Sequence, residues 1–140
     1  MLPPGQNLDT DHDKTFVIGA GNYEPFGEML VVNGNPEGPV LPLKAKTKYR
    51  FRLINITPDS TGMQIKLLRG GTPVEWRAIA KDGADLPASL AKMQKAGLIT
   101  TVGETYDFEY EASQPEELTL EVYSPDPKMR TSQILVFNAD

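Results

Sequence analysis

The chain contains no cysteine and a single histidine, His12, among its 140 residues. Without cysteine there are no disulfides, no thiolate nucleophile, no zinc finger and no iron–sulfur ligation. One histidine excludes every multi-histidine metal site and leaves one candidate base for Ser–His chemistry. Basic residues are outnumbered by acidic ones, and the formal charge of −5 argues against nucleic acid, whose phosphates require clustered Lys and Arg. No apolar run approaches the roughly 18 residues of a membrane span, and the first residues lack a signal-peptide apolar core. Internal repeats and low-complexity segments are absent as well.

What is present is a globular composition, 39% hydrophobic and 24% charged, in a length suited to one domain with a true core. Glycine and proline number 12 each, a high density of turn formers. Between them lie short apolar runs. Lys48 to Ile56, KYRFRLINI, is the clearest strand: Tyr49, Phe51 and Leu53 share one face, Arg50 and Arg52 the other. In TYDFEYE the aromatics Tyr106, Phe108 and Tyr110 alternate with Asp107 and Glu109. FVIG, EMLVV, MQIKLLR, VEWRAIAK, LITTV, LTLEVYS and SQILVFN complete about nine short strands. Asn33-Gly34 and Asp82-Gly83 mark tight reversing turns, since both residue types tolerate positive φ. LPASLAKMQKAG is the one predicted helix, with Leu86, Leu90 and Met93 on one face, Pro87 in the first turn and Gly97 at its end. The expected architecture is all-β, an antiparallel Greek-key sandwich with one short helix. Its core is expected to include Phe51, Leu53, Ile65, Leu67, Trp76, Ile79, Phe108, Leu120 and Val136. Residues 1–14, rich in Pro and Asp, read as a lead-in or interdomain linker, and 15–140 as the domain.

Candidate chemistry is sparse. Asp9, Asp11, His12 and Asp13 group oxygen ligands with one imidazole, but no glycine provides the turn a calcium loop needs. Asp11, His12 and Asp13 are therefore at most an adventitious metal chelate within a solvated lead-in. Asp82 and Asp85 are spaced so that they could act as an acid–base pair in a hydrolase. The plainer reading is that Asp82-Gly83 makes the turn and Asp85 caps nearby amides. Asn55-Ile56-Thr57 matches a glycan acceptor, yet Pro58 follows and Asn55 ends an apolar strand. The methionines are scattered singly, which suits gap filling rather than copper ligation. Tyr23 and Phe26, in GNYEPFGE, form a possible binding loop for a sugar or protein ligand, the feature that a free-standing binding module would use.

Taken in order, MLVVNGN, KYRFRLINIT, WRAIAKDGADLP, ITTVGETYDFEYE and LTLEVYS resemble a cupredoxin-like (plastocyanin-like) domain of a bacterial multicopper oxidase. The opening LPPGQNLDTDHDKTFVIG resembles the connection between two such domains. The resemblance implies a Greek-key sandwich, a corner built by Asp82, Gly83 and Asp85, and a corner tyrosine, Tyr106, whose hydroxyl returns to the backbone. It also implies copper in neighbouring domains of the parent, a periplasmic or secreted location, and neighbouring cupredoxin domains as partners. None of the family's copper ligands can be carried over: where histidines would follow the N-x strand, this chain reads ITPDSTGMQIKLL. The implied role is that of a copper-free scaffold and docking module, without catalytic residues and without a cofactor of its own.

Overall fold

The computed structural model describes residues 12–22, 28–34, 40–57, 62–124 and 130–139. Two sheets face each other. The first runs in the order β2 (Glu28–Val32), β1 (Asp13–Asn22), β4 (Lys48–Asn55), β11 (Thr105–Glu111), β7 (Glu75–Lys81) and β8 (Ala84–Asp85), with β9 (Met93–Lys95) also paired to β7. The second runs β10 (Gly97–Thr100), β5 (Met63–Arg69), β12 (Glu116–Tyr123), β13 (Arg130–Asn138) and β3 (Leu41–Lys44), with β6 (Thr72–Pro73) on β5.

Period-two alternation makes these strands and aims them. In β4, Tyr49, Phe51, Leu53 and Asn55 are buried while the residues between them are not. Leu118, Leu120 and Val122 of β12 face inward in the same way, as do Leu135 and Phe137 of β13. The two inner faces form one core, in which Trp76 stacks on Phe108 with ring centroids 4.0 Å apart. Aromatic rings continue along this layer: Phe16 meets Phe51 edge-on, and Phe137 contacts both Tyr49 and Tyr110.

Four expectations are corrected. The sheets are mixed rather than purely antiparallel, because β1 pairs β4 and β13 pairs β3 in parallel. The chain leaves β1 through β2, crosses to the other sheet as β3, and returns as β4 in the direction of β1, the long connection that parallel neighbours need.

The predicted helix reduces to a single turn, in which the amides of Leu90 and Ala91 donate to the Pro87 carbonyl. Met93–Lys95 instead pairs with the edge of β7, and Gly97 opens β10. Leu90 and Met93 remain more than half exposed, so a helix would have no apolar surface to bury there, and a short isolated helix does not sustain itself.

Ile79 is only partly buried. Regular alternation turns Trp76, Ala78 and Ala80 inward, so Ile79 lies on the opposite face of β7, where it is also the extra residue of a β-bulge against Asp107 and Phe108. Val136 is half-buried because β13 turns Leu135 and Phe137 inward instead. The other expected core residues, Phe51, Leu53, Ile65, Leu67, Trp76, Phe108 and Leu120, are all buried.

Phe108→Ala would remove one partner of the Trp76 stack and open a cavity at the centre of the first sheet. The expected loss is about 3–5 kcal/mol, read as a lower midpoint in urea unfolding. Val136→Ala, half outside, should cost about 1 kcal/mol or less in the same titration.

Candidate functional site

The paired carboxylates sit in a hairpin corner. Asp82 (φ 51°) and Gly83 (φ 81°) both occupy the left-handed region and join β7 to β8 in a two-residue turn. The Asp82 side chain accepts the Thr105 amide at 2.9 Å, and its own amide donates to the Thr105 carbonyl at 2.7 Å. Asp82 therefore clamps the start of β11. Asp85 lies on β8 opposite Ala80. Both acids are exposed, and among the described residues no group of three or more His, Asp or Glu side chains could hold a metal ion.

Tyr106 departs from the expected corner geometry. Its hydroxyl donates to the Glu104 carboxylate at 3.1 Å rather than to the backbone. Glu104 is the hub here: its other oxygen accepts the Thr101 amide at 2.6 Å and the Thr101 hydroxyl at 3.0 Å, while Lys81 approaches within 3.2 Å and also lies over the Tyr106 ring. The Thr101 amide, and then the Thr101 hydroxyl, Lys81 and Tyr106, hold the Glu104 carboxyl down at about 2. This residue was missed, although Thr101-x-x-Glu104 carries the reciprocal signature of a capping box.

The glycan-like triplet is a buried polar knot. Asn55 and Thr57 are fully buried. The Asn55 amide nitrogen donates to the Thr100 carbonyl at 2.9 Å, and its oxygen accepts the Thr57 amide at 2.9 Å and the Thr57 hydroxyl at 2.7 Å. The loop after β4 is thereby tied to the loop after β10, which the Gly103 amide reinforces by donating to the Asn55 carbonyl. Ile56, Ile99 and Val102, carried on these segments, are exposed by 59%, 66% and 51%.

A third cluster lies on the outer face of the first sheet. Asp107 is buried beneath Arg50 and Arg52, accepting from Arg50 Nε at 2.7 Å and from Arg52 Nε and its terminal nitrogen at 3.1–3.3 Å. These bonds, above all, raise the Arg52 pKa. The alternation already puts both arginines on one face of β4 and Asp107 on one face of β11. Only the antiparallel pairing of the two strands, with Asp107 opposite Arg52, brings them together.

His12 stands at a turn before β1, exposed, with its carbonyl accepting the Arg50 amide and its ring 6.1 Å from that of Tyr49. Asp13 opens β1, opposite Arg50. Asp9, Asp11, Tyr23 and Phe26 lie outside the described residues.

Comparison with protein-family models and with curated protein sequences finds no match. Solved structures do match in fold. A McoA multicopper oxidase variant from Aquifex aeolicus superposes with a TM-score of 0.76 over 92% of this chain, at 18% identity and over 32% of its own length. A laccase-like multicopper oxidase, CueO, from Ochrobactrum sp. matches with 0.63 over 92% of this chain and 31% of its own, at 19% identity. The copper nitrite reductase of Nitrosomonas europaea matches with 0.64 over 91% of this chain and 49% of its own, at 11% identity. The fold is that of a cupredoxin-like domain, and the chain spans 31–49% of the length of these matched structures.

Two outcomes follow. Because the Glu104 carboxyl is held below its ordinary value, its contribution is complete above about pH 5 and is lost as pH falls towards 2. In acid titrations followed by circular dichroism, Glu104→Gln should flatten the stability slope across that window and be less stable than the parent at pH 7. Asp107→Ala, leaving two guanidinium groups without their shared carboxylate, should cost about 2–4 kcal/mol in urea unfolding.

Proposed function

We propose that this chain is a copper-free cupredoxin-like domain of a multicopper oxidase, acting as a scaffold and as a docking module for neighbouring cupredoxin domains of the same polypeptide. The observation that carries the reading is the conjunction of this sandwich fold with a chain that has no cysteine and one histidine. A blue-copper centre takes two imidazoles and a thiolate, and a trinuclear cluster takes many imidazoles. Where the resemblance would place histidines after β4, the donors among the described residues are Asn55 and Thr57, committed to each other and to Thr100, together with the inward thioether of Met63, and the sequence there supplies neither histidine nor cysteine. That set does not fit copper, so no copper-dependent step is assigned to this domain.

The scaffold role draws support from the length of the matched structures, of which this fold occupies one part. Ile56, Ile99 and Val102 are side chains that contact with a neighbouring domain would cover, and the Asn55 knot beneath them holds their loops in a fixed form. A periplasmic or secreted location belongs to the same proposal.

The test is spectroscopic. After loading with Cu(II) and desalting, the purified chain should show no intense charge-transfer band in the visible red and no oxidase activity, and any weakly held copper should disappear in His12→Ala. Stoichiometric, chelator-resistant copper in His12→Ala would overturn the reading. So would a reading frame around this segment that lacks the paired H-x-H motifs of the copper-bearing domains.

A further inference from the structure

The two outer faces of the sandwich differ. A sheet with one face on the core and the other in water alternates apolar and polar residues. The first sheet keeps to this at its centre, where Arg50, Arg52 and Asp107 face outward. The second does not. Its strands turn Leu67, Leu118, Leu120 and Leu135 inward, yet the outward positions between them hold Leu68, Thr119, Ile134 and Val136.

The register gathers these side chains into a band. Leu68 of β5 and Ile134 of β13 flank Thr119 of β12, the partner they share. Pro73 of β6 lies opposite Leu68 and lengthens the row to four strands, and Pro42 of β3 lies beside Val136 on the next row. Ile134 and Pro42 are exposed, the others half-buried, and among the described residues no third layer covers this face. A contiguous apolar surface of this kind marks a site of association.

The charges beside the band indicate what covers it. Glu121 of β12 and Lys66 of β5 are register partners on the row that follows Thr119 and Leu68. Next to them the Tyr123 ring is held by Lys66 at 5.5 Å and Arg130 at 5.4 Å, while its hydroxyl donates to Gln64 at 2.9 Å. A twofold axis along the strands, midway between β5 and β12, exchanges those two strands. Two copies stacked face to face about it set Glu121 of each over Lys66 of the other, Thr119 over Leu68, and Ile134 over Pro73. Charge meets opposite charge and apolar meets apolar under one operation, as an isologous interface requires. The strands of the two sheets then run nearly aligned, the ordinary way for sheets to pack. A twofold axis across the strands at Thr119 would instead set Glu117 over Glu121, like charge over like.

We propose that the outer face of the second sheet is a homodimer interface, in which two copies of this chain stack through the band of Leu68, Thr119 and Ile134 with reciprocal contacts between Glu121 and Lys66. The band is separate from the Ile56 and Val102 segments, and the proposal does not depend on the scaffold reading.

The test is sedimentation equilibrium of the full chain up to about 1 mM, where a monomer–dimer equilibrium should appear. Lys66→Glu and Glu121→Lys each oppose like charges twice per dimer and should each weaken association about tenfold or more. Combined in one chain they should restore it to within about threefold of the parent, since the two sites are coupled across the interface. Ile134→Lys should abolish the dimer, whereas Ile56→Lys, on the first sheet, should leave it intact. Circular dichroism checks that each variant is folded, and if Ile134→Lys is not, Ile134→Thr should still weaken the dimer several-fold. A parent chain that stays monomeric throughout would overturn the proposal. So would a dimer that folded Ile134→Lys leaves unchanged, or a double charge swap that associates no better than the single variants.

Discussion

The pairing of β4 with β11 fixes more of this structure than any other contact, because it is specified on both faces at once. Inside, Phe51 stands opposite Phe108, and Tyr49 opposite Tyr110. Outside, Asp107 lies under Arg50 and Arg52. A slip of one residue would drive two guanidinium groups into the aromatic layer and expel the rings, so the alternatives are separated by a large penalty. With this register set, β1 can be added to one flank of β4, and β7 to the far side of β11. The first sheet is assembled around that central pair.

Strand existence and facing were legible in the sequence wherever alternation was strict and aromatic, as in KYRFRLIN and TYDFEYE. They failed where apolar character was followed against the alternation, or where a distant contact intervened. Ile79 is apolar, but it stands between the inward residues Ala78 and Ala80 and out of parity with Trp76, which puts it on the other face of β7. The helical spacing of Leu86, Leu90 and Met93 was real, yet only Leu86 has a packed surface to meet. The free edge of β7, a long-range feature, claims Met93–Lys95 instead. Polar connections divide in the same way. Asp82-Gly83 could be read from local turn chemistry, whereas the Asn55–Thr100 and Arg52–Asp107 bonds join residues more than 40 apart and required the fold.

Seen together, the polar groups of this domain are used for holding segments in place. Asn55 ties two loops, Glu104 ties Thr101, Tyr106 and Lys81, and Glu116 receives both Arg69 and Tyr110. In each case a carboxylate or amide meets several donors at once, which fixes loop geometry in a fold with no disulfide to do so.

Trp76 is the only tryptophan of the chain, it is fully buried against Phe108, and its indole nitrogen has no hydrogen-bond partner among the described residues. Indole emission shifts with the polarity and hydrogen bonding of its surroundings. The native fluorescence of this protein therefore comes from one ring in an apolar setting on β7, beside the central pair of the first sheet, and should be blue-shifted. Because that ring rests on β11 through Phe108, its emission records whether the central strands are docked and is insensitive to events confined to the loops. The domain thus carries a single built-in optical probe of its core.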